Sequence, residues 1–174
     1  MNKKVCCFLG HRKIKITEEL KKKAYSIVER LIVDKNIDTF LFGSKSQFND
    51  LCYQVVSELK REYPHIKRVY IRAQFPYIDR NYKDYLLQHY EETYYPDHMI
   101  RAGKSAYVER NYEMINQSEY CVMYFDENYM PPRRKKRNAA VADYQPKSGT
   151  KIAYDYAQKK GKRMINVFNK TDQI

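Results

Sequence analysis

A chain of 174 residues is the ordinary size of one domain and long enough to bury a substantial core. Lys and Arg total 33 against 21 Asp and Glu, and the resulting charge of +12 favours polyanionic partners: nucleic acid, nucleotides or anionic surfaces. With 43% hydrophobic and 31% charged residues the composition excludes a disordered tail, and no apolar run approaches the roughly 20 residues that span a bilayer.

The opening residues, MNKKVCCFLGHRK, hold a short apolar run at 5–9, which is too brief for a signal peptide, so a cytoplasmic location is expected. That run is β-rich, ends at Gly10 and predicts a buried strand. Thr17 then reads as a helix N-cap, with Leu20, Ala24, Ile27, Val28 and Leu31 recurring on one face. Residues 39–42 predict a second strand, closed by Gly43, and Phe48, Leu51, Cys52, Val55, Val56 and Leu59 a second amphipathic helix. Pro64 breaks the chain before a third strand at 69–71. Residues 74–98 are tyrosine-rich and irregular, with room for a short helix, and a helical segment at 104–116 leads into a strand at 120–125. The polar stretch 126–147, with the basic run RRKKR at 133–137, is too long for an ordinary connection and is either functional or mobile. Ser148, Gly149 and Thr150 open a last helix with Ala153, Tyr156 and Ala157 inward, Gly161 ends it, and residues 164–168 make a final strand.

Strand–helix alternation at this spacing predicts an α/β fold: a Rossmann-like parallel sheet of five or more strands with helices on both faces, one domain over residues 1–174. Such sheets bind ligands outside the carboxyl ends of their strands. Those positions here hold Gly10, His11 and Arg12, then Gly43, Ser44 and Lys45, then Arg72, with Ser148, Gly149 and Thr150 at the start of the last helix. Glycine at a strand end permits positive φ and close backbone approach, a helix N-terminus attracts anions, and the hydroxyls can donate to phosphate oxygens. Arg110 and Glu113, three apart in VERNYEM, share a helix face. The functional reading puts Arg110 on a phosphate or base, and Glu113 on a ribose hydroxyl or in acid–base catalysis. His11 would serve as a switchable donor. The pattern is neither a GxGxxG nor a P-loop fingerprint, which disfavours ordinary dinucleotide enzymes and NTPases. Cys6, Cys7, Cys52 and Cys121 form no CxxC or Cys/His cluster, so buried reduced thiols are expected and neither a metal nor a cofactor is.

GHR after the first strand, the Gly43–Ser44 loop, VERNYEMI and SGTKIAYDYA together resemble the SLOG superfamily. That Rossmann-like group includes Lonely Guy phosphoribohydrolases and the DNA-processing protein A family, and the match is nearest to small stand-alone bacterial members. The resemblance covers nearly the whole chain. In Lonely Guy enzymes an ERK-type helix precedes a PGGxGTxxE loop; the ERK arginine matches Arg110, its following glutamate falls near Glu113, and GT matches Gly149 and Thr150. The loop glutamate falls at Ala153, the PGG is replaced by Gln145, Pro146, Lys147 and Ser148, and Asn49 stands where an aspartate is usual. An amide cannot replace a carboxylate in proton transfer, so the resemblance implies a phosphate-cradling shape with incomplete hydrolytic machinery.

Three functions follow as expectations. The first is binding of a phosphate-bearing nucleotide or nucleotide-derived ligand by a sensor or regulatory protein without turnover. The second is an N-glycosidic hydrolase or transferase acting on nucleoside monophosphates, with Glu113 or Asp126 replacing the absent glutamate. The third is DNA or RNA binding, supported by the +12 charge and the 133–137 run. A homodimer through the aromatic segment 82–95 is also expected, by analogy with the pairing of Lonely Guy relatives.

Overall fold

The computed structural model describes residues 4–73, 78–99, 103–131 and 147–169. Among them, strands and helices alternate as β1 (Val5–Gly10), α1 (Glu18–Val33), β2 (Thr39–Phe42), α2 (Gln47–Glu62), β3 (Lys67–Ile71), α3 (Arg80–His89), β4 (Glu92–Tyr94), α4 (Lys104–Gln117), β5 (Tyr120–Tyr124), α5 (Gly149–Lys159) and β6 (Arg163–Asn166). The strands form one sheet in the order β4-β3-β2-β1-β5-β6, and every pairing is parallel.

Successive strand side chains point to opposite faces, so each strand feeds two cores. Phe8, Phe40 and Phe42 turn to the face covered by α1 and α2, where they meet Ile27, Leu31, Phe48 and Val56. Cys7, Leu9 and Leu41 turn the other way, to Met114 and Ile115 of α4 and Ala153 and Ala157 of α5. Full burial of each large side chain contributes about 1.5–3 kcal/mol, which holds helices on both faces as the sequence predicts. Cys6 and Cys7 divide between the two cores, and all four cysteines are free and buried. No helix among the described residues is long and apolar enough to cross a membrane.

Four helices begin on side-chain caps. Thr17 Oγ1 accepts Leu20 N–H, Ser46 Oγ accepts Asn49 N–H, Asp79 Oδ1 accepts Tyr82 N–H, and Ser148 Oγ accepts Lys151 N–H. The region expected to be irregular contains two elements: α3, which buries only Leu86, and the edge strand β4, registered on β3 through Val69↔Glu92 and Ile71↔Tyr94. The final strand is shorter than expected, ending at Asn166, whose side chain bonds both Phe125 N–H and Phe125 C=O.

Candidate functional site

The carboxyl ends of β1, β2, β3 and β5 open onto a cleft of about 870 Å³. The parallel sheet brings all eleven predicted anion-binding positions to it. Gly10, His11 and Arg12 line it from β1, Gly43, Ser44 and Lys45 from β2, Arg72 from β3, and Arg110 from α4. Ser148, Gly149 and Thr150 close the far side at the start of α5. The N-caps of α2, α3 and α5 (Ser46, Asp79 and Ser148) all lie on this wall, so three helix N-termini converge on one space. At α5 the Ser148 hydroxyl occupies Lys151 N–H, while Gly149 N–H and Thr150 N–H have no acceptor among the described residues. Two unpaired amides at a helix N-terminus constitute an anion-facing edge.

Arg110 is the most unusual group in the cleft. It is 4% exposed, yet no carboxylate among the described residues pairs with it. Its Nη1 donates to Gly43 C=O, its Nε and Nη2 donate to Asn111 Oδ1 at 3.3 and 3.2 Å, and its guanidinium lies over the Tyr107 ring at 5.5 Å. Burial drives its pKa down to about 10. A guanidinium held in place by neutral acceptors, without a counter-charge, is prepared for an anion from outside the chain.

The two strand-end glycines are required for a reason different from the one the sequence suggests. Neither has positive φ; among described residues only Gly103 and Gly161 do, besides Asn36. A Cβ at Gly10 would lie 2.5 Å from Phe48 Cδ1, and one at Gly43 would lie 2.7 Å from Arg110 Cδ and 2.9 Å from Ile71 O. Close packing, of α2 on β1 and of Arg110 on β2, excludes a side chain at both. The role of Asn49 is structural. It is buried, offers Oδ1 to Gly43 N–H at 3.5 Å and holds the loop behind the cleft wall.

His11 is buried, and its Nε2 accepts Asp126 N–H at 2.9 Å. The same nitrogen lies 3.2 Å from Asp126 C=O, and burial lowers the imidazole pKa. Tyr129 stacks on the ring at 3.9 Å between centroids, fixing the segment after β5 to the site. The imidazole is thereby anchored between the Asp126 backbone and the Tyr129 ring.

Glu113 is not among the lining residues. Its Oε1 accepts Tyr94 O–H at 3.1 Å and Gln117 Nε2–H at 2.9 Å, and its Oε2 lies 3.2 Å from His98 Nε2. Because α4 runs antiparallel to the strands, three residues beyond Arg110 place Glu113 about 4.5 Å further from the carboxyl edge. Ala153 is 1% exposed within the second core, and Asp126, outside the lining residues too, turns its Oδ1 onto Asn128 N–H. The basic run 133–137 lies outside the described residues.

Sequence reading missed the aromatic half of the cleft: Tyr70, Tyr82, Tyr107 and Tyr129, with Asp79 among them. Burial, with Tyr82 close by, raises the Tyr70 pKa. Tyrosines are spread through the whole chain, so composition could not single these four out; proximity to strand ends was the only signal.

Fold and cleft together define an open Rossmann-like α/β protein with an anion-facing site at its carboxyl strand edge. More particularly, the fold is similar to that of part of DNA processing protein A. The structure of that protein from Streptococcus pneumoniae matches with a TM-score of 0.51 at 11% identity, over 94% of this chain and 50% of that one. The Helicobacter pylori protein, whose structure describes a single-stranded DNA binding mode, matches with a TM-score of 0.54 at 16% identity, over 93% of this chain and 64% of that one. The chain thus spans between half and two thirds of these solved structures, and at such identities it is the fold that is shared. No family model and no curated protein sequence matches.

Proposed function

We propose that this protein binds a phosphate-bearing nucleotide or nucleotide-derived molecule in the cleft and acts as a sensor or regulatory protein. The observation that carries this reading is Arg110: a buried guanidinium with no carboxylate partner among the described residues, facing the same space as the free amides of α5. A phosphate there supplies the missing counter-charge, and the lining tyrosines supply faces for a base. Binding without turnover is favoured over hydrolysis because Glu113 is committed to Tyr94 and Gln117, and because the family's loop glutamate is replaced by the core residue Ala153. Beside the site, α3 exposes Tyr85 and Leu87 while burying only Leu86, a surface suited to a homodimer contact.

A second reading, binding of single-stranded DNA, is favoured by the Helicobacter pylori neighbour and by the +12 charge. A native mass spectrum of the full chain purified from cells separates the two. A discrete adduct of nucleotide mass, released on denaturation, is the expected result. Co-purifying polynucleotide removed by nuclease, with no small adduct, would replace the first reading with the second.

A further inference from the structure

The described lining of the cleft contains five cationic side chains, Arg12, Lys13, Lys45, Arg72 and Arg110, and one carboxylate, Asp79. Asp79 forms an ion pair with none of the five. Its Oδ1 caps α3 by accepting Tyr82 N–H at 2.8 Å, and its other oxygen has no partner among the described residues. We infer that the cleft takes a guanine nucleotide, whose base edge is read by Asp79; the inference rests on the nucleotide-binding reading above and specifies its ligand.

Asp79 repels phosphate, so the phosphate must occupy the opposite side, where the ends of β2 and β1 and the N-termini of α2 and α5 present amides, hydroxyls and cations. Asp79 sits beyond β3, and in the order β3-β2-β1 that is two strand spacings from β1, roughly 10 Å at about 4.8 Å per spacing. In a nucleotide the part furthest from the phosphate is the base. On the Asp79 side Tyr82, in the first turn of the helix that Asp79 caps, offers a ring face for it to stack on, while Tyr107 lies under Arg110.

A carboxylate accepts hydrogen bonds and cannot donate them. Guanine presents N1–H and the 2-amino group side by side, two parallel donors that match two carboxylate lone pairs. Adenine and cytosine place a ring-nitrogen acceptor beside their amino group, and that lone pair would face the carboxylate. Uracil sets a single N–H between two carbonyls. Of the four bases, guanine leaves no acceptor against Asp79.

The test uses the full chain, calorimetric titration with the 5′-monophosphates of guanosine, inosine, xanthosine and adenosine, and the variant Asp79→Asn. Asparagine is as good an N-cap as aspartate, so α3 and the melting temperature should be unchanged. Wild type should bind the guanosine ligand at least about tenfold more tightly than inosine monophosphate, which lacks only the 2-amino donor, because that loss leaves a carboxylate lone pair unmatched. Xanthosine monophosphate, with a carbonyl at that position, should bind more weakly still. Asp79→Asn should reverse the order, favouring xanthosine over guanosine, since its amide N–H faces the 2-carbonyl. Equal binding of all four ligands by both proteins, or a preference for adenosine, would overturn the guanine assignment while nucleotide binding stands. Binding of none would overturn both.

Discussion

Gly43 and Gly149 line the same cleft, yet replacing them should have opposite consequences. Gly43→Ala places a Cβ 2.7 Å from Arg110 Cδ and 2.9 Å from Ile71 O. The second contact is backbone at the carboxyl end of β3, where Ile71 is in register with Tyr94 of β4, and the first is a side chain held by its bond to Gly43 C=O and its stacking on Tyr107, so neither can yield cheaply. Overpacking of this kind costs about 1–3 kcal/mol. For a chain of this size that lowers the melting temperature by roughly 2–12 °C. A Cβ at Gly149 meets nothing within 4 Å, and its φ is ordinary. Gly149→Val should therefore change stability by less than about 0.5 kcal/mol. It should nonetheless weaken nucleotide binding at least about tenfold, or roughly 1.4 kcal/mol, by standing between the ligand and the α5 amides. Urea denaturation followed by calorimetric titration reads both quantities. An unchanged unfolding midpoint for Gly43→Ala, or a Gly149→Val protein that loses stability but keeps its affinity, would refute the reasoning.

Burial depresses the His11 pKa below its ordinary 6.5, so between that value and the folded pKa the unfolded chain takes up a proton that the folded chain does not. Stability should accordingly be unaffected by His11 above pH 6.5 and fall as the pH drops through the folded pKa; urea midpoints from pH 8 to 5 should show this fall in wild type and a smaller one in His11→Gln. Nucleotide affinity should depend only moderately on salt, and neutralising residues 133–137 should leave it unchanged. By contrast, DNA binding would fall with a log–log slope of about 0.7–0.9 per phosphate contacted, and a gel shift surviving physiological salt would contradict the small-ligand reading. Light scattering at micromolar concentration should give a dimer that Tyr85→Lys converts to monomer; a monomeric wild type would remove the dimer and leave the cleft intact.

The sheet was legible in the sequence because β1, β2 and β5 are buried apolar runs, β3 ends on the apolar stretch 69–71, and α1 and α2 carry continuous apolar stripes. The strand β4 was not legible, since its three residues, Glu92, Thr93 and Tyr94, are extended by pairing with β3 rather than by any alternation of their own. The helix α3 likewise buries one residue and so leaves no periodic signal. The predicted anion-binding positions share one cleft because a parallel sheet brings every strand end to the same edge, a consequence of topology that alternation alone predicts. What local pattern could not carry was side-chain direction. Arg110 and Glu113 share a helix, but the antiparallel run of α4 takes the carboxylate away from the edge and into hydrogen bonds with Tyr94 and Gln117. Asn49, which reads as a lost aspartate, holds Gly43 N–H instead. Asp79 and its neighbouring tyrosines reach the cleft from a segment with no regular periodicity.

The central claim is that Arg110 awaits an anion from outside the chain, and calorimetric titration of guanosine 5′-monophosphate into wild type and Arg110→Ala tests it most directly. Arg110→Ala leaves a cavity and an unpaired Gly43 C=O, so the protein should stay folded by near-ultraviolet circular dichroism with a lowered melting temperature, while affinity falls at least about tenfold, roughly 1.4 kcal/mol. Wild-type affinity fully retained by folded Arg110→Ala, or collapse of the fold without Arg110, would show that the guanidinium serves the protein's own packing and would contradict the account.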